Sequence, residues 1–206
     1  MQITAEMVKQ LRERTGVGPM DCKKALQEFD GDMEKAANFL REKGLAKAVK
    51  KAGRAANEGV IQGYMHHNGR IGVMVEVNCE TDFVANTDAF KTFAKDVALH
   101  IANLAPRFIK REEVPQSVID EETEMQRRRA IEEGKPENVA QKVAEGRMGK
   151  FYEEIVLLEQ PFIRDDKVTI EDLRKQVVAE VGENVVIRRF SRFELGEQGD
   201  EVAEEE

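Results

Sequence analysis

The segment VIQGYMHHNGRIGVMVEVNC, residues Val60 to Cys79, decides the fold class of this chain. Two strand-like runs flank Asn68-Gly69, and this dipeptide between such runs is the strongest short signal of a β-hairpin. Alternate residues of the second run are apolar, at Ile71, Val73, Val75, Val77 and Cys79. Because alternate residues of a strand point to the same face, the segment predicts an antiparallel sheet with one buried face.

Helical patterns follow the hairpin. Apolar residues recur at helical spacing from Phe90 to Leu104, ahead of Pro106, which predicts a helix that covers the sheet. Two charged, partly amphipathic helices are expected at about residues 117–133 and 136–159, with a break at Gly134-Lys135-Pro136.

The last part of the chain returns to a strand pattern. Thr169-Ile170-Glu171-Asp172 matches a capping box, which predicts the start of a helix that ends at Gly182. Residues 185–195, VVIRRFSRFEL, are strand-like and predict a third strand for the sheet. Helices and an antiparallel sheet in these positions indicate the α+β class.

The first 44 residues predict a compact three-helix bundle. Thr4 can cap the first helix, Pro19 suits the first turn of the second, and Asp32 can cap the third, which is expected to end before Gly44. The chain is thus divided into a three-helix domain (1–44), a basic helical linker (45–58), an α+β core (59–195) and an acidic tail (196–206).

Composition restricts the class of protein. The chain has 206 residues, 41% hydrophobic and 35% charged, which suits soluble globular domains. No run approaches the roughly 18 apolar residues of a membrane span, and the N-terminus lacks the apolar core of a signal peptide. We therefore expect a cytoplasmic protein without membrane contact.

Charge argues against nucleic acid as the main partner, because phosphate binding requires a large positive surface and the net charge is -8. The run from Lys43 to Arg54 is nevertheless basic, which leaves an RNA-binding adaptor as the alternative function. A charge run is more often a solvated helix face, and no aromatic residues interleave this one for base stacking.

Catalytic and metal-binding patterns are missing from the sequence. It contains no glycine-rich phosphate loop, nucleophile elbow or His-Glu-x-x-His helix. His66 and His67 should point to opposite faces of a strand, and Cys22 and Cys79 form no paired motif. We expect no metal, cofactor or disulfide, and a binding module rather than an enzyme.

An aromatic residue stands where a polar turn is expected. In NCETDFVAN, residues Asn78 to Asn86, Phe83 lies between the second strand and the following helix. It is either a core residue that closes the gap between sheet and helix, or an exposed wedge that projects with Asp82 toward a partner.

Four segments together closely resemble bacterial translation elongation factor Ts in its short form. They are LRERTGVGPMDCKKAL (11–26), HNGRIGVMVEVNCETDFVA (67–85), EGRMGKFYEEIVLLEQPF (145–162) and VGENVVIRRFSRFELG (181–196). The resemblance implies a guanine-nucleotide exchange factor for elongation factor Tu, with an N-terminal ubiquitin-associated-like domain. It also implies that the turn Thr81, Asp82, Phe83 and Val84 enters the partner's GTPase domain and disturbs its magnesium site.

The same resemblance implies further partner contacts, at Met20, Lys23, His67, His100, Val181 and Gly182. Two of these positions have simpler interpretations, since Lys23 can be a solvated helix lysine and His100 falls on an apolar helix face. Pro19 stands where the family often has methionine, which affects the expected contact there. One sheet module in place of two implies that two chains associate as a homodimer through the core domain.

Overall fold

The computed structural model describes residues 3–197, and for residues 45–49 it describes the backbone alone. Most of the predicted acidic tail, residues 198–206, lies outside the described residues. The helices are α1 (Ala5–Thr15), α2 (Pro19–Glu28), α3 (Met33–Lys51), α4 (Asp82–Ala85), α5 (Asp88–Leu104), α6 (Gln116–Glu132), α7 (Glu137–Ile155) and α8 (Ile170–Val181). The strands are β1 (Glu58–Met65), β2 (Ile71–Cys79), β3 (Pro161–Phe162), β4 (Asp165–Thr169) and β5 (Val186–Glu194).

The chain forms two compact units. One combines Met1–Asn103 with Arg174–Glu206, and the other is Leu104–Leu173. The division at 1–44, 45–58, 59–195 and 196–206 stays a prediction about functional domains. The α+β class, with three N-terminal helices followed by a three-stranded antiparallel sheet, is confirmed.

Helices α1 to α3 surround a small apolar core formed by Leu11, Cys22, Ala25, Leu26, Ala36, Ala37 and Leu40. Their predicted starts are supported by hydrogen bonds. Thr4 Oγ1 accepts from the Met7 amide at 3.2 Å, and Asp32 Oδ1 accepts from the Lys35 amide at 3.0 Å.

The expected end of α3 before Gly44 is wrong. The helix continues through Gly44 to Lys51. A glycine inside a helix costs only about 1 kcal/mol relative to alanine, and the alanine-rich and lysine-rich sequence that follows favours helix. Gly44 is also buried, and a Cβ there would lie 3.1 Å from the Ala179 Cβ, so its small size permits close packing against α8.

The main sheet has the strand order β1-β2-β5, with both pairs antiparallel. The predicted hairpin and third strand are therefore confirmed. Val73, Val75 and Val77 of the central strand are buried. The β2–β5 register shifts between Glu76 and Val77, which leaves Arg188 as the extra residue of a bulge.

One face of this sheet is covered and the other is open. Helix α5 buries Phe90, Phe93, Val97 and Ile101, and Arg192 Nε of β5 donates to the Ala102 carbonyl at 3.4 Å. The opposite side, here called the outer sheet face, carries side chains that are 56–69% exposed: Ile61, Met65, Met74 and Phe193.

The second unit is a helical hairpin with a small two-stranded sheet. Val114, Ile155 and Val156 form a core beneath α6 and α7. Helix α7 ends at Ile155, four residues before the predicted end, because Val156 is extended and forms a bridge with Phe108. The β3–β4 pair was not expected from the sequence.

The capping box at the start of α8 is confirmed. The Asp172 amide donates to Thr169 Oγ1 at 3.1 Å, and the Thr169 amide donates to Asp172 Oδ2 at 3.3 Å.

Candidate partner-binding site

The predicted wedge is a single helical turn that follows the central strand. Helix α4 contains four residues, Asp82–Ala85, and Thr81 caps it by accepting from the Val84 amide at 3.3 Å. Phe83 is 79% exposed, whereas Val84 is only 5% exposed. The core interpretation of Phe83 is therefore excluded, and Val84 is the residue that anchors the turn in the core.

A carboxylate from the segment before β5 holds this turn. Glu183 Oε2 accepts from the Glu80 and Thr81 amides, each at 3.0 Å. Glu183 Oε1 accepts from the Thr81 hydroxyl at 2.7 Å. Both carboxylate oxygens are thus used, and the first peptide groups of the turn are fixed relative to the strand β5.

The neighbouring Asn184 connects the turn to the end of α3. Its backbone amide donates to Glu80 Oε1 at 2.7 Å, and its side-chain amide donates to the carbonyls of Arg54 at 2.8 Å and Ala52 at 3.3 Å. Arg54 in turn pairs with Glu80 at 3.5 Å. Since Asn184 is only 1% exposed, these bonds form away from solvent.

The thiol of Cys79 lies beneath the same turn. Its Sγ donates to the Thr81 carbonyl at 3.1 Å. Burial, and then the negative charge of Glu183, raise the pKa of Cys79 from its ordinary value of 9.0 to about 11. Cys79 is thus a protonated structural thiol at neutral pH.

The N-terminal candidates lie on one helix. Met20 and Lys23 belong to α2, both are exposed, and residues three apart lie on neighbouring positions of a helix surface. Met20 is an apolar residue with 67% of its surface exposed. The pair forms a second candidate surface on an element separate from the wedge.

His67 is exposed in the turn between β1 and β2. It therefore lies at the opposite end of β2 from Thr81, roughly 26 Å away along the strand. The expectation that His66 and His67 point apart is wrong, since their ring centroids are 4.3 Å apart. Both residues follow the end of β1 at Met65, so strand alternation does not apply to them.

His100 is fully buried on α5, so a direct partner contact from its ring requires the helix to shift. Val181 is the last residue of α8, and Gly182 follows it with a φ of +80°, a conformation that glycine adopts without strain. Lys51 Nζ donates to the Gly182 carbonyl. Of the further candidates, Val181 and Gly182 are thus the pair that leads directly into Glu183.

Within residues 3–197, the structure contains no group of three or more His, Cys, Asp or Glu side chains placed to hold a metal ion. No helix in this part of the chain is long and apolar enough to cross a membrane.

The family model of elongation factor Ts matches residues 19–197. The chain belongs to the elongation factor Ts family. The elongation factor Ts of Carboxydothermus hydrogenoformans is 60% identical over 195 residues, covering 95% of this chain and 90% of that protein. That of Thermoanaerobacter sp. is also 60% identical over 195 residues, covering 95% and 96%. That of Desulfitobacterium hafniense is 56% identical over 205 residues, covering 100% and 94%.

Elongation factor Ts is a factor of protein biosynthesis, known as the nucleotide-exchange factor of elongation factor Tu. The sequence drew attention to the turn at Phe83, with a core and an exposed position both open, but it did not identify the groups that hold the turn, namely Glu80, Glu183 and Asn184. The only signal was their position, with Glu80 beside the turn and Glu183-Asn184 between Gly182 and the third strand.

Proposed function

We propose that this chain binds elongation factor Tu in its GDP state and promotes GDP release, so that GTP can bind during translation elongation in the cytoplasm. The proposal rests on the family and on one observation: Phe83 is 79% exposed on a turn whose backbone is fixed at Thr81. The chain breaks no covalent bond in this role, so it is an exchange factor rather than an enzyme.

Differential binding supplies the mechanism. A GTPase holds GDP through contacts to its phosphates and through a magnesium ion that bridges phosphate oxygens. If the factor binds the nucleotide-free partner more tightly than the GDP-bound partner, it must weaken GDP binding by the same factor. GTP binding then releases the factor.

The turn Thr81–Val84 performs the displacement in this proposal. Phe83 inserts between elements of the partner, and burying such a side chain contributes roughly 1.5–3 kcal/mol. Asp82 places a negative charge and hydrogen-bond acceptors beside it, at the mouth of the partner's magnesium site. Thr81 caps the turn, and the buried side chain of Val84 anchors it in the core.

The other candidates extend the contact. Met20 and Lys23 offer an apolar and a cationic group on α2, and His67 offers a ring on the hairpin turn. Val181 and Gly182 directly precede Glu183, which binds the turn. His100 remains a proposed contact that depends on movement of α5.

The outer sheet face suits a second copy of this chain. Ile61, Met65, Met74 and Phe193 form an apolar surface on one side of a three-stranded sheet, and such surfaces are rarely left open on monomers. A homodimer that pairs two of these faces buries them and supplies the second sheet module that longer members carry in one chain.

The RNA-binding alternative has less support. Three of the basic residues it would use have partners within the protein: Lys43 lies 4.0 Å from Asp21, Lys51 donates to Gly182 and Arg54 pairs with Glu80. A salt titration of RNA binding distinguishes the two functions, because phosphate contacts give a steep loss of affinity with salt.

Stopped-flow fluorescence tests the exchange function. Elongation factor Tu carrying a fluorescent GDP analogue is mixed with the chain and with excess unlabelled GDP, which prevents rebinding. The release rate is expected to rise with the concentration of the chain and then to saturate. A rate equal to that of elongation factor Tu alone would overturn the proposal.

A further inference from the structure

We propose that Glu183 is a positioning residue for nucleotide exchange. In this proposal Asn184 connects the same turn to the segment just after α3. This inference rests on the proposed function, since it concerns how the turn Thr81–Val84 is presented to the partner. Neither residue belongs to the turn, and Glu183 lies 102 residues after Thr81 in the chain.

The turn cannot hold its own shape. Helix α4 has four residues, and helices of that length are not stable by themselves in water. Phe83 contributes little, because most of its surface is exposed. The turn depends on groups around it, which include the burial of Val84 and Ala85, the Cys79 thiol on the Thr81 carbonyl, and the Glu183 carboxylate.

The Glu183 carboxylate binds the backbone at the start of the turn. It accepts from two consecutive amides, those of Glu80 and Thr81, at 3.0 Å each, and from the Thr81 hydroxyl at 2.7 Å. The same hydroxyl oxygen accepts from the Val84 amide. Glu183 therefore fixes the cap of α4, and through the cap it fixes where Phe83 points.

Asn184 fixes a second element to the same point. Its side-chain amide donates to the Ala52 and Arg54 carbonyls, just beyond the end of α3. Among the residues that the structure describes, no donor reaches Asn184 Oδ1, so the side chain is held through its N–H groups. Asn184 therefore binds the predicted linker, just beyond the end of α3, and through its backbone amide it also binds Glu80 beside the turn.

This arrangement predicts an effect on the rate of exchange within the complex. A wedge held in one orientation enters the partner without first being ordered, whereas a loosened wedge must be ordered during the step itself. Removal of Glu183 should therefore lower the saturating rate of GDP release more than it changes the concentration of factor needed for half-saturation.

Glu183→Ala and Glu183→Gln form the decisive pair. Alanine removes all three acceptor contacts. Glutamine keeps one oxygen for the two amides and offers an N–H group to the Thr81 hydroxyl oxygen, so it should preserve most of the geometry. Glu153→Ala, on the exposed face of α7, is the matched control for loss of a surface carboxylate.

The experiment measures GDP release from elongation factor Tu against concentration of each full-length variant, with amide hydrogen exchange on the same samples. We expect Glu183→Ala to lower the saturating rate by roughly tenfold to a hundredfold, Glu183→Gln to recover most of it, and Glu153→Ala to match the unsubstituted chain. In Glu183→Ala, exchange should accelerate at residues 80–86 while α5 keeps its protection.

Several outcomes overturn the inference. A Glu183→Ala variant that releases GDP at the full rate would do so, as would unchanged protection at residues 80–86. Loss of protection throughout α5, with no recovery in Glu183→Gln, would assign Glu183 a general structural role. If the unsubstituted chain itself fails to accelerate GDP release, the proposed function fails, and the hydrogen-exchange comparison still decides whether Glu183 holds the turn.

Discussion

Phe83 and Phe90 are close in the chain but differ completely in environment. Phe83 is exposed at the tip of α4, and Phe90 is fully buried on α5. Phe83→Ala should leave the midpoint of urea unfolding nearly unchanged and strongly reduce acceleration of GDP release. Phe90→Ala, the matched control, should lose about 3–5 kcal/mol of unfolding free energy.

Circular dichroism during urea unfolding and stopped-flow release separate the two effects. A Phe83→Ala variant that exchanges nucleotide at the full rate would exclude the wedge role. A much lower urea midpoint for Phe83→Ala would contradict the exposed position of Phe83.

Cys79 should react slowly in the folded protein. Its pKa is raised to about 11 in the folded state, so at pH 8.5 its thiolate fraction is roughly a hundredfold lower than that of an ordinary thiol. The pKa of Cys22 is also raised, chiefly by burial. Mass spectrometry after iodoacetamide treatment should find little labelling without denaturant and complete labelling in guanidinium chloride.

The raised pKa of Cys79 also makes the free energy of unfolding depend on pH. Between about pH 9 and 11 the unfolded chain loses the Cys79 proton while the folded chain keeps it, so this group stabilises the fold below that range and its contribution falls as pH rises through it. If iodoacetamide instead labels Cys79 quickly in the folded protein at pH 8.5, the space beneath the turn is open to the reagent.

Local sequence could identify Phe83 but could not decide its environment. An aromatic residue between a strand and a helix fits both a core position and an exposed one. The deciding groups, Glu183 and Asn184, are brought to the turn only by pairing of β2 with β5, which local sequence does not specify.

Among the elements, β1 has the most sensitive glycine. Gly59 has a φ of +146°, and a Cβ there would lie 2.1 Å from the Val77 carbonyl oxygen. Gly59→Ala should therefore lower the free energy of unfolding by at least about 2 kcal/mol. Gly63→Ala on the same strand is the control, because a Cβ at that position meets no described atom within 4 Å.

Urea unfolding of the two variants measures the difference. Equal stability of Gly59→Ala and Gly63→Ala would contradict the close approach of β1 to β2 at Val77.

Elements were predicted well where one signal dominated. The Asn68-Gly69 hairpin, the apolar stripe of α5 and the capping box of α8 each have a short-range cause, and the structure contains all three. Gly44 was misinterpreted as a stop because its tight packing against Ala179 depends on α8, more than a hundred residues later.

At the scale of the whole molecule, the outer sheet face should control association. Met74→Glu places a charge at its centre and should convert a dimer to a monomer in sedimentation velocity experiments. Met125→Glu, at an exposed position on α6, is the control and should leave the mass unchanged. A single, concentration-independent monomer mass for the unsubstituted chain would exclude the homodimer.

The organisation into two units was not visible in the sequence. The first unit contains residues from both ends of the described chain, and the second unit interrupts it in sequence. Pairing of Ile71 with Glu194 closes the first unit across this interruption, and such long-range pairing leaves no local pattern.

The support of the turn by Glu183 also has a consequence during synthesis. Glu183 follows Thr81 by 102 positions, which takes roughly 5 to 20 s to synthesise at ordinary translation rates. Throughout that interval the nascent chain carries Phe83 on a turn that lacks its carboxylate support. Phe83 therefore gains its final orientation only after Glu183 has been synthesised and has bound the cap of the turn.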